Sequence, residues 1–396
     1  MTREDIQREI ISLKGNNLLL ELATGTGKSR IALEKIKSLY YNNKTQGNLL
    51  IVVPRNVHKD NWKKEINLWW KNCPLNISFT TYISFPKYAG NWDFVIFDEC
   101  HHLSERCRSY LNSFNTKYSI LLSATVDKNL KYVLKRIFKD LTIYKRDLRN
   151  IIEENILPDP IVYLWKLNLD TKSITEKIWK NKTAKGKIIE CNYISRWNYI
   201  KQKTAPVKIN CTEQQYYLDL ENQIEYWRKK YMYSKNEIFK NKWLKLCSDR
   251  LKWLSDKKLK YIYQLLFILR NKRTLTFCNS IEQTELLGKY CINSKNNKSI
   301  HNLSSFNEGK INHITACNML NECMNLINCQ VGIYANLNSS ETIIKQRMGR
   351  LLRHKNPIII VPYYNNTREE ELVKRMLENY NPELVHEILD IKEIII

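Results

Sequence analysis

A short apolar run, a glycine-rich segment and a helix-forming sequence follow one another between Leu18 and Arg30. The glycine-rich segment reads ATGTGKS and spans Ala23–Ser29. A buried strand, a glycine turn and a helix start, in this order, are the context that a phosphate-binding loop requires. Glycines let backbone N–H groups converge on phosphate oxygens, and the following helix adds the positive end of its dipole. Because Leu22 stands where the strict pattern has a glycine, the stretch alone could also be an ordinary strand-to-helix turn.

A phosphate-binding loop at this position predicts which residues contact a nucleotide. Lys28 would reach the β- and γ-phosphates, and the hydroxyl of Ser29 would hold Mg²⁺. Gln7 lies on a helix predicted over residues 1–16, 21 residues before Lys28. It is near enough to touch a base bound above the loop, although a solvated helix residue is an equal alternative. The rest of the predicted nucleotide contacts come from Thr24, Gly25, Thr26 and Gly27.

A pair of carboxylates ends the apolar stretch Asp93–Phe97. Charges at the C-terminal edge of a parallel sheet lie where ligands bind, so structure alone does not explain Asp98 and Glu99. We predict that Asp98 holds Mg²⁺ through water and that Glu99 polarises the attacking water. A later apolar run, Ser119–Thr125, ends in hydroxyl groups and predicts a further strand.

The charge balance of the chain indicates a polyanionic partner. Lys and Arg number 64 against 40 Asp and Glu, which gives a formal charge of +24. Nucleic acid is the usual partner of such a chain, although abundant Asn, Lys and Ile are also what an AT-rich genome produces. Eleven cysteines without a CxxC pair, and no apolar leader, are typical of reduced thiols in the cytoplasm. No apolar run approaches the ~20 residues of a membrane span, so we expect no membrane association.

The middle of the chain, residues 151–255, is predicted to be a connector followed by a mostly helical insertion. Pro158 and Pro160 mark the connector, because prolines stop helices and hold the chain extended. Residues 171–210 contain ten Lys and Arg, two acids and interspersed aromatic residues, which suits nucleic-acid binding and a codon-biased surface equally well. Apolar residues at helical spacing then predict two helices that pair as a hairpin. The stripe of the first helix is Tyr217, Leu220, Ile224, Trp227 and Tyr231.

A second α/β unit is predicted over residues 256–396. Buried strands are expected at 273–278, 313–320, 331–336 and 357–364. Between the last two strands a helix carries the sequence QRMGRLLR, in which Arg350 and Arg353 lie three residues apart and project from one face. Alone, this arginine pair could be an ordinary surface feature.

Segments along the whole chain match a known pattern in order and spacing. ATGTGKS, VVPRNVHKDNW, TTY, DECHH and LLSAT resemble motifs I, Ia, Ib, II and III of superfamily 2 helicases. Their style is most similar to the branch of restriction-enzyme motor subunits and DNA-repair helicases. TLTFCNS, ITACNMLNECMNL and QRMGRLLR resemble motifs IV, V and VI. The motif V segment departs from the family, since Cys317, Cys323 and Asn325 replace the usual hydroxyl residue, glycine and aspartate. This departure bears on how that loop contacts ribose and the nucleic-acid backbone.

The resemblance implies an α/β fold of two tandem RecA-like P-loop domains, residues 1–150 and 256–396, with a helical insertion and with ATP in the cleft between the domains. It implies that Gln346, Arg350 and Arg353 complete the site from the second domain, with the arginines at the γ-phosphate. The implied activity is Mg²⁺-dependent ATP hydrolysis coupled to translocation or strand separation on nucleic acid, DNA rather than RNA. Three alternatives stay open: a translocase that serves a protein partner such as a nuclease, an RNA helicase, and a catalytically weak nucleic-acid clamp.

Overall fold

Two parallel β-sheets, each with apolar packing on both faces, form the framework of the chain in the computed structural model. The first sheet has six strands and the second has seven. The structure describes residues 2–23, 25–43, 47–88, 90–173, 175–176, 179–182, 188–191, 193–198, 203–208, 210–317, 326–337, 340–352, 354–378 and 380–395.

The strands and helices have the following bounds. The strands are β1 (Asn17–Leu22), β2 (Asn48–Val53), β3 (Asn76–Thr81), β4 (Gly90–Phe97), β5 (Phe114–Ser123), β6 (Leu141–Arg146), β7 (Ile161–Leu167), β8 (Thr175–Glu176), β9 (Trp179–Lys182), β10 (Ile188–Cys191), β11 (Tyr193–Asn198), β12 (Lys203–Lys208), β13 (Asn210–Cys211), β14 (Thr274–Phe277), β15 (Cys291–Ile292), β16 (His313–Ala316), β17 (Val331–Tyr334), β18 (Ile358–Tyr364) and β19 (Val385–Ile388). The helices are α1 (Arg3–Ser12), α2 (Lys28–Asn43), α3 (Asn56–Trp69), α4 (Glu105–Leu111), α5 (Lys128–Ile137), α6 (Leu148–Glu153), α7 (Glu213–Ser234), α8 (Glu237–Lys257), α9 (Leu259–Ile268), α10 (Ile281–Leu287), α11 (Ser299–Asn307), α12 (Glu341–Leu351) and α13 (Arg368–Leu377).

The first sheet brings the predicted site residues to one edge. Its strand order is β3-β2-β4-β5-β1-β6, and every pairing is parallel. The carboxyl ends of β4, β5 and β1 are therefore neighbours, and the residues that follow these three strands meet at the same edge. The alternation along β1 fills both faces of the sheet, since Leu18 and Leu20 pack in one core and Leu19 in the other.

The second sheet contains a strand where the sequence predicts a connector. Its order is β15-β16-β14-β17-β18-β7-β19, again with parallel pairing throughout. β7 lies between β18 and β19, inside the predicted range 151–255, and begins directly after Pro160. A proline is tolerated next to the first residue of a strand, and the sequence IVYLWKL is a continuous apolar run that suits burial on both faces. The pairing assigns β7 to the second sheet, and the remaining boundaries of the three-part division stay predictions.

The insertion combines short strands with a pair of long helices. Between residues 175 and 211 the backbone forms antiparallel pairs, β9 with β10, β11 with β12 and β8 with β13, where the sequence predicts a mostly helical insertion. The side chains of residues 174–210 lie outside the described part of the chain, so the predicted role of this basic, aromatic segment stays a prediction. The predicted helical hairpin is present as α7 and α8.

Local backbone chemistry produces the turn of the α7–α8 hairpin. Lys235 ends α7 in the left-handed conformation, with a φ of 53°. Asn236 then caps α8, because its side-chain oxygen accepts a hydrogen bond from the N–H of Ile238 at 2.8 Å. Two caps within two residues reverse the chain and place the helices side by side.

The base of this hairpin is bonded to the second domain. Arg250 of α8 donates to Glu221 of α7 at 2.5 Å, and the hydroxyl of Tyr217 accepts from the N–H of Arg368 at 2.7 Å. Just beyond α8, Lys258 pairs with Glu369 at 2.5 Å, and both side chains are fully buried. A buried pair of this kind fixes position, because either charge alone would be strongly destabilising. The base and the second sheet therefore form one unit.

Candidate functional site

The loop between β1 and α2 has the backbone that phosphate binding needs. Gly25 and Gly27 have φ angles of 95° and 85°, a region that residues with side chains rarely adopt. The hydroxyl of Thr26 donates to the carbonyl of Ala23 at 2.9 Å and closes the turn from inside. α2 begins directly after Gly27, so the positive end of its dipole lies at the loop. Thr24 lies outside the described residues.

Lys28 and Glu99 meet at the C-terminal edge of the first sheet. The ammonium Nζ lies 3.4 Å from Glu99 Oε1 and 3.4 Å from the carbonyl oxygen of Leu22. Each of the two charged side chains is only 11% exposed, so water screens their attraction weakly. The structure thus brings together the lysine predicted to bind phosphate and the acid predicted to act on water.

Asp98 is partly buried directly after β4. The indole N–H of Trp62 donates to its Oδ2 at 2.8 Å, and the hydroxyl of Tyr82 donates to its backbone carbonyl at 2.7 Å. Burial, together with the charge of Glu99, raises the pKa of Asp98 to about 6, while the bond from Trp62 acts in the opposite direction. In the nucleotide-free protein this raised pKa favours the folded state at low pH. That contribution to stability is lost as the pH rises through about 6.

Trp62→Phe is expected to make the Mg²⁺ site predicted at Asp98 more sensitive to acid. The substitution removes the N–H that favours the charged carboxylate, so the pKa of Asp98 rises further. Because Mg²⁺ binds the deprotonated acid, the ATPase activity that the sequence predicts should need several-fold more Mg²⁺ for its half-maximum at about pH 6.5 than in the unaltered protein. At about pH 8.5 the variant and the unaltered protein should need the same Mg²⁺ concentration.

Trp69→Phe is the matched control for this experiment. Trp69 lies on the same helix and also donates its indole N–H to a carboxylate, that of Glu65 at 2.9 Å, but this carboxylate does not lie in the site. Its substitution should leave the Mg²⁺ titration unchanged at both pH values. Identical titrations for Trp62→Phe and Trp69→Phe would show that the bond to Asp98 does not tune the metal ligand.

A chain of polar contacts joins Glu99 to the end of the neighbouring strand. Glu99 itself has a φ of 49°, which turns the chain sharply after β4. His101 Nδ1 lies 3.4 Å from Glu99 Oε2 and 3.0 Å from the hydroxyl of Ser123. Ser123 in turn donates to the carbonyl of Thr125 at 2.7 Å. A movement of the carboxylate would therefore be transmitted to the strand end at β5.

The donor set at this edge fits magnesium bound together with a nucleotide. In proteins Mg²⁺ takes oxygen ligands and is usually bound through one or two side chains plus the phosphates of a substrate. Ser29 supplies a hydroxyl and Asp98 a carboxylate, and both belong to the first domain. Among the described residues no group of three or more His, Cys, Asp or Glu could hold a metal by itself. A metal at this edge would therefore depend on phosphate oxygens.

Gln7 lies beside the phosphate-binding loop. Its side chain is buried, although it stands on the first helix of the chain. A Cβ built on Gly27 would lie 3.5 Å from Gln7 Nε2. The structure thus places Gln7 next to the loop, as the first of its two interpretations requires. Contact with a base stays a prediction.

Helix α12 of the second domain approaches the same loop from the other side. A Cβ built on Gly25 would lie 3.8 Å from the carbonyl oxygen of Gly349 and 3.7 Å from Leu157 Cδ2. Gln346 and Arg350, predicted to complete the site, are buried on this helix at 2% and 7% exposure. Gln346 Nε2 is also a buried donor without a hydrogen-bond partner among the described residues. Arg353 lies outside them.

One short loop after β17 is bonded both to α12 and to the end of the α7–α8 hairpin. Arg347 donates to the carbonyl of Asn336 at 3.1 Å, and its guanidinium lies 5.0 Å from the ring of Phe277. Ser255, near the end of α8, donates to the carbonyl of Ala335 at 3.2 Å. Adjacent carbonyl groups of one loop therefore hold the helix that carries Arg350 and the base of the insertion.

In the altered motif V, Cys317 still supplies a hydrogen-bond donor where the family has a hydroxyl residue. The thiol of Cys317 donates to the carbonyl of Asn279, just after β14, at 3.5 Å. A thiol is a weaker donor than the hydroxyl usual at this position. Cys323 and Asn325 lie outside the described residues, so the effect of their replacement stays open.

Two family descriptions match the chain. Residues 3–128 match the type III restriction enzyme, res subunit, and residues 257–355 match the helicase conserved C-terminal domain. The first match contains the phosphate-binding loop, Asp98 and Glu99, and the second contains the whole QRMGRLLR segment. The chain belongs to the superfamily 2 helicases. Its first domain matches the restriction-subunit description, the branch that its motifs resemble most.

This superfamily 2 helicase chain shares its fold with several solved structures. The helicase domain of Hef from Pyrococcus furiosus aligns with a TM-score of 0.54 over 94% of this chain and 97% of that one, at 12% identity. A putative HsdR subunit of a type I restriction enzyme from Vibrio vulnificus gives 0.59 over 97% and 68%, at 16% identity. Dbp5 of S. cerevisiae, bound to RNA and ADP BeF3, gives 0.60 over 98% and 89%, at 9% identity. These likenesses confirm the tandem RecA-like α/β fold. No curated protein sequence matches the chain.

Sequence reasoning on this helicase chain misses the residues that contact Asp98 and His101. The sequence predicts Trp62 as a core residue, and it assigns Tyr82 and Ser123 only to strand ends. All three residues lie in segments that resemble motifs Ia, Ib and III. That resemblance does not reveal that they contact Asp98 or His101. In the part of the chain that the structure describes, no helix has the length and apolar character needed to cross a bilayer. A cytoplasmic location stays a prediction.

Proposed function

We propose that this chain hydrolyses Mg²⁺-bound ATP and couples the reaction to movement along nucleic acid or to strand separation. The observation that carries the proposal is the position of the Lys28–Glu99 pair, beside Asp98 and opposite helix α12. Helicases of this superfamily use ATP, and the residues at this edge have the chemistry that phosphoryl transfer requires.

Each side chain has a distinct role in this proposal. Lys28 and the loop N–H groups neutralise the phosphates, and Ser29 and Asp98 hold Mg²⁺, which neutralises charge that develops on the phosphate oxygens. Glu99 accepts a proton from the attacking water, and His101 keeps its carboxylate in place. Gln346, Arg350 and Arg353 act from the second domain when the cleft closes and excludes water.

Glu99→Gln is expected to bind ATP and to hydrolyse it slowly. The amide keeps the size and hydrogen bonding of the side chain but cannot accept the proton, so kcat should fall by about 10² or more with little change in nucleotide affinity. ATPase assays and fluorescent-nucleotide titration measure the two quantities. Asp93→Asn is a control, since this acid lies within β4, away from the loop, and pairs with Lys117 at 2.6 Å. If Glu99→Gln hydrolysed ATP normally, Glu99 would be a structural residue.

The nucleic-acid partner is proposed to be DNA. The match to the type III restriction enzyme subunit favours DNA, whereas the RNA bound to Dbp5 is a property of that protein. An ATPase panel with single-stranded, duplex and forked DNA and with RNA tests this choice directly. Stimulation without displacement of a strand would favour a translocase that serves a partner. Binding without stimulation would favour a clamp, for which the altered motif V is the motivating observation.

A further inference from the structure

The outer part of the α7–α8 hairpin is largely solvent-exposed. Tyr217, Leu220 and Ile224 are buried near the base, but no residue from Glu225 to Asp249 is. We call residues 225–249 the arm. With a rise of 1.5 Å per residue, the arm extends about 15 Å beyond Ile224 along α7. Because it buries so little, its side chains are accessible to a partner.

The arm is strongly basic. It carries three acidic side chains, and two of them are engaged locally, since Glu225 pairs with Arg228 at 2.9 Å and Glu237 with Lys240 at 3.1 Å. The charge that remains is complementary to a polyanion. The seven basic residues are Arg228, Lys229, Lys230, Lys235, Lys240, Lys242 and Lys245.

The aromatic residues of the arm fall into two groups. Trp227 packs against Phe239 with ring centroids 5.5 Å apart, and Tyr231 stacks on Trp243 at 6.0 Å. These pairs form the seam that holds the two helices together. Outside the seam, Tyr226 is 51% exposed and Tyr233, at the tip, is 95% exposed. A ring as exposed as that of Tyr233 contributes nothing to packing and presents a free face.

The shape of the arm indicates what form of nucleic acid it can contact. Two helices side by side are about 20 Å wide, which is more than the ~12 Å major groove of duplex DNA admits. The two helices of the arm therefore cannot enter the groove together. An exposed tyrosine stacks only on a base whose face is free, and basic residues track a backbone without regard to sequence. Both features fit unpaired strands.

We propose that the arm is a binding site for single-stranded nucleic acid, in which lysines contact the phosphates and Tyr233 stacks on a base. The inference rests on the proposed function for the presence of a nucleic-acid partner and adds a second contact away from the ATP cleft. Because Ser255 and Arg347 are bonded to the same loop after β17, a strand held by the arm is attached to the domain that carries Arg350.

The charge of the arm is tested by changing Lys229, Lys242 and Lys245 to Gln together. Binding of a fluorescent 30-nucleotide oligo-dT is measured by anisotropy at several salt concentrations, in the full chain without ATP. Each lost phosphate contact lowers the salt slope of single-strand binding by about 0.7, so we expect a decrease of about 2. The control carries the same charge change at three exposed lysines of the second domain, Lys289, Lys295 and Lys298.

The stacking contact is tested at Tyr233. Tyr233→Ala should weaken oligo-dT binding by about 5- to 150-fold, whereas Tyr233→Phe keeps the ring and should bind as the unaltered chain does. Tyr132→Ala removes another exposed tyrosine, on α5 of the first domain, and should have no effect. Melting temperatures of all variants should match, because the altered side chains are exposed.

The outcomes separate this proposal from the proposed function. If both arm variants kept the affinity and salt slope of the unaltered chain and nucleic acid still stimulated their ATPase, the proposed binding site on the arm would be refuted and the proposed motor function would not. The arm would then be a surface for a protein. Weaker oligo-dT binding in the arm variants, with basal ATPase preserved, supports the proposed binding site on the arm. If the unaltered chain bound no oligo-dT and no duplex, both proposals would fail.

Discussion

Lys28→Ala is expected to abolish ATP turnover, with a loss of about 10³ or more in kcat. The substitution removes the one side-chain charge that the phosphate-binding loop directs at the β- and γ-phosphates. A steady-state ATPase assay at saturating nucleotide measures the effect. Normal turnover in this variant would refute the assignment of the loop and, with it, the proposed motor.

The same substitution should also affect stability, because Lys28 is not isolated in the structure. Its removal leaves Glu99 beside Asp98 without the cation 3.4 Å away, which should destabilise the nucleotide-free protein by about 1–3 kcal/mol. Adding Glu99→Gln to Lys28→Ala should recover most of this loss in urea unfolding, without recovering activity. Lys37→Ala, on the same helix, is the control, since it pairs with Glu34 on a partly exposed face.

Arg350→Ala is expected to lower turnover by about 10³ with near-normal affinity for ATP. An arginine supplied by the second domain stabilises charge that develops only in the transition state, so its loss should appear in kcat rather than in ground-state binding. Nucleotide affinity and kcat are measured separately on the same preparation. Equal losses in both would place Arg350 in ground-state binding.

Arg347→Ala, three residues away, provides the comparison. Arg347 is 2% exposed, donates to the backbone of the loop after β17 and lies against Phe277, and burial lowers its pKa. Arg347→Ala should lower the melting temperature. Its ATPase activity should fall only to the extent that the variant is unfolded at the assay temperature. A variant of Arg350 that also melted early would blur this distinction, and Arg350→Lys would then serve in its place, because it keeps the charge without the planar fork.

The features that sequence predicts are those encoded within a few residues. The ATGTGKS turn, the carboxylates after β4 and the apolar strands are local patterns, and the structure places them as adjacent elements of one sheet. The hydrogen bond from Trp62 to Asp98 spans 36 residues, and no local pattern distinguishes this indole from a core residue. β7 escapes prediction because Pro158 and Pro160 mark an extended segment without indicating which strand it joins.

The sequence also does not distinguish aromatic residues that pack in the core from aromatic residues that are exposed to a partner. The stripe of Tyr217, Leu220 and Ile224 is buried as its spacing predicts, but the same periodicity continues into Trp227 and Tyr231, which lie in a half-exposed seam. Helical spacing reports which residues share a face, and it cannot report where the neighbouring domain ends. The exposed ring of Tyr233 lies outside that stripe altogether.

The place of β7 in the second sheet changes what the insertion is. The chain passes from the first sheet to the second once, between Arg146 and Ile161, before the insertion begins. Residues 168–258 therefore begin and end in the same domain. They form an insertion within the second domain, here called the cassette, and not a connection between the two domains. A cut or an exchange within the cassette would not separate the two RecA-like domains. In the proposed motor, a rotation of the second domain about the short crossing would carry the cassette with it. For each 10° of rotation, the far end of a rod as long as α7, about 33 Å, would move about 6 Å.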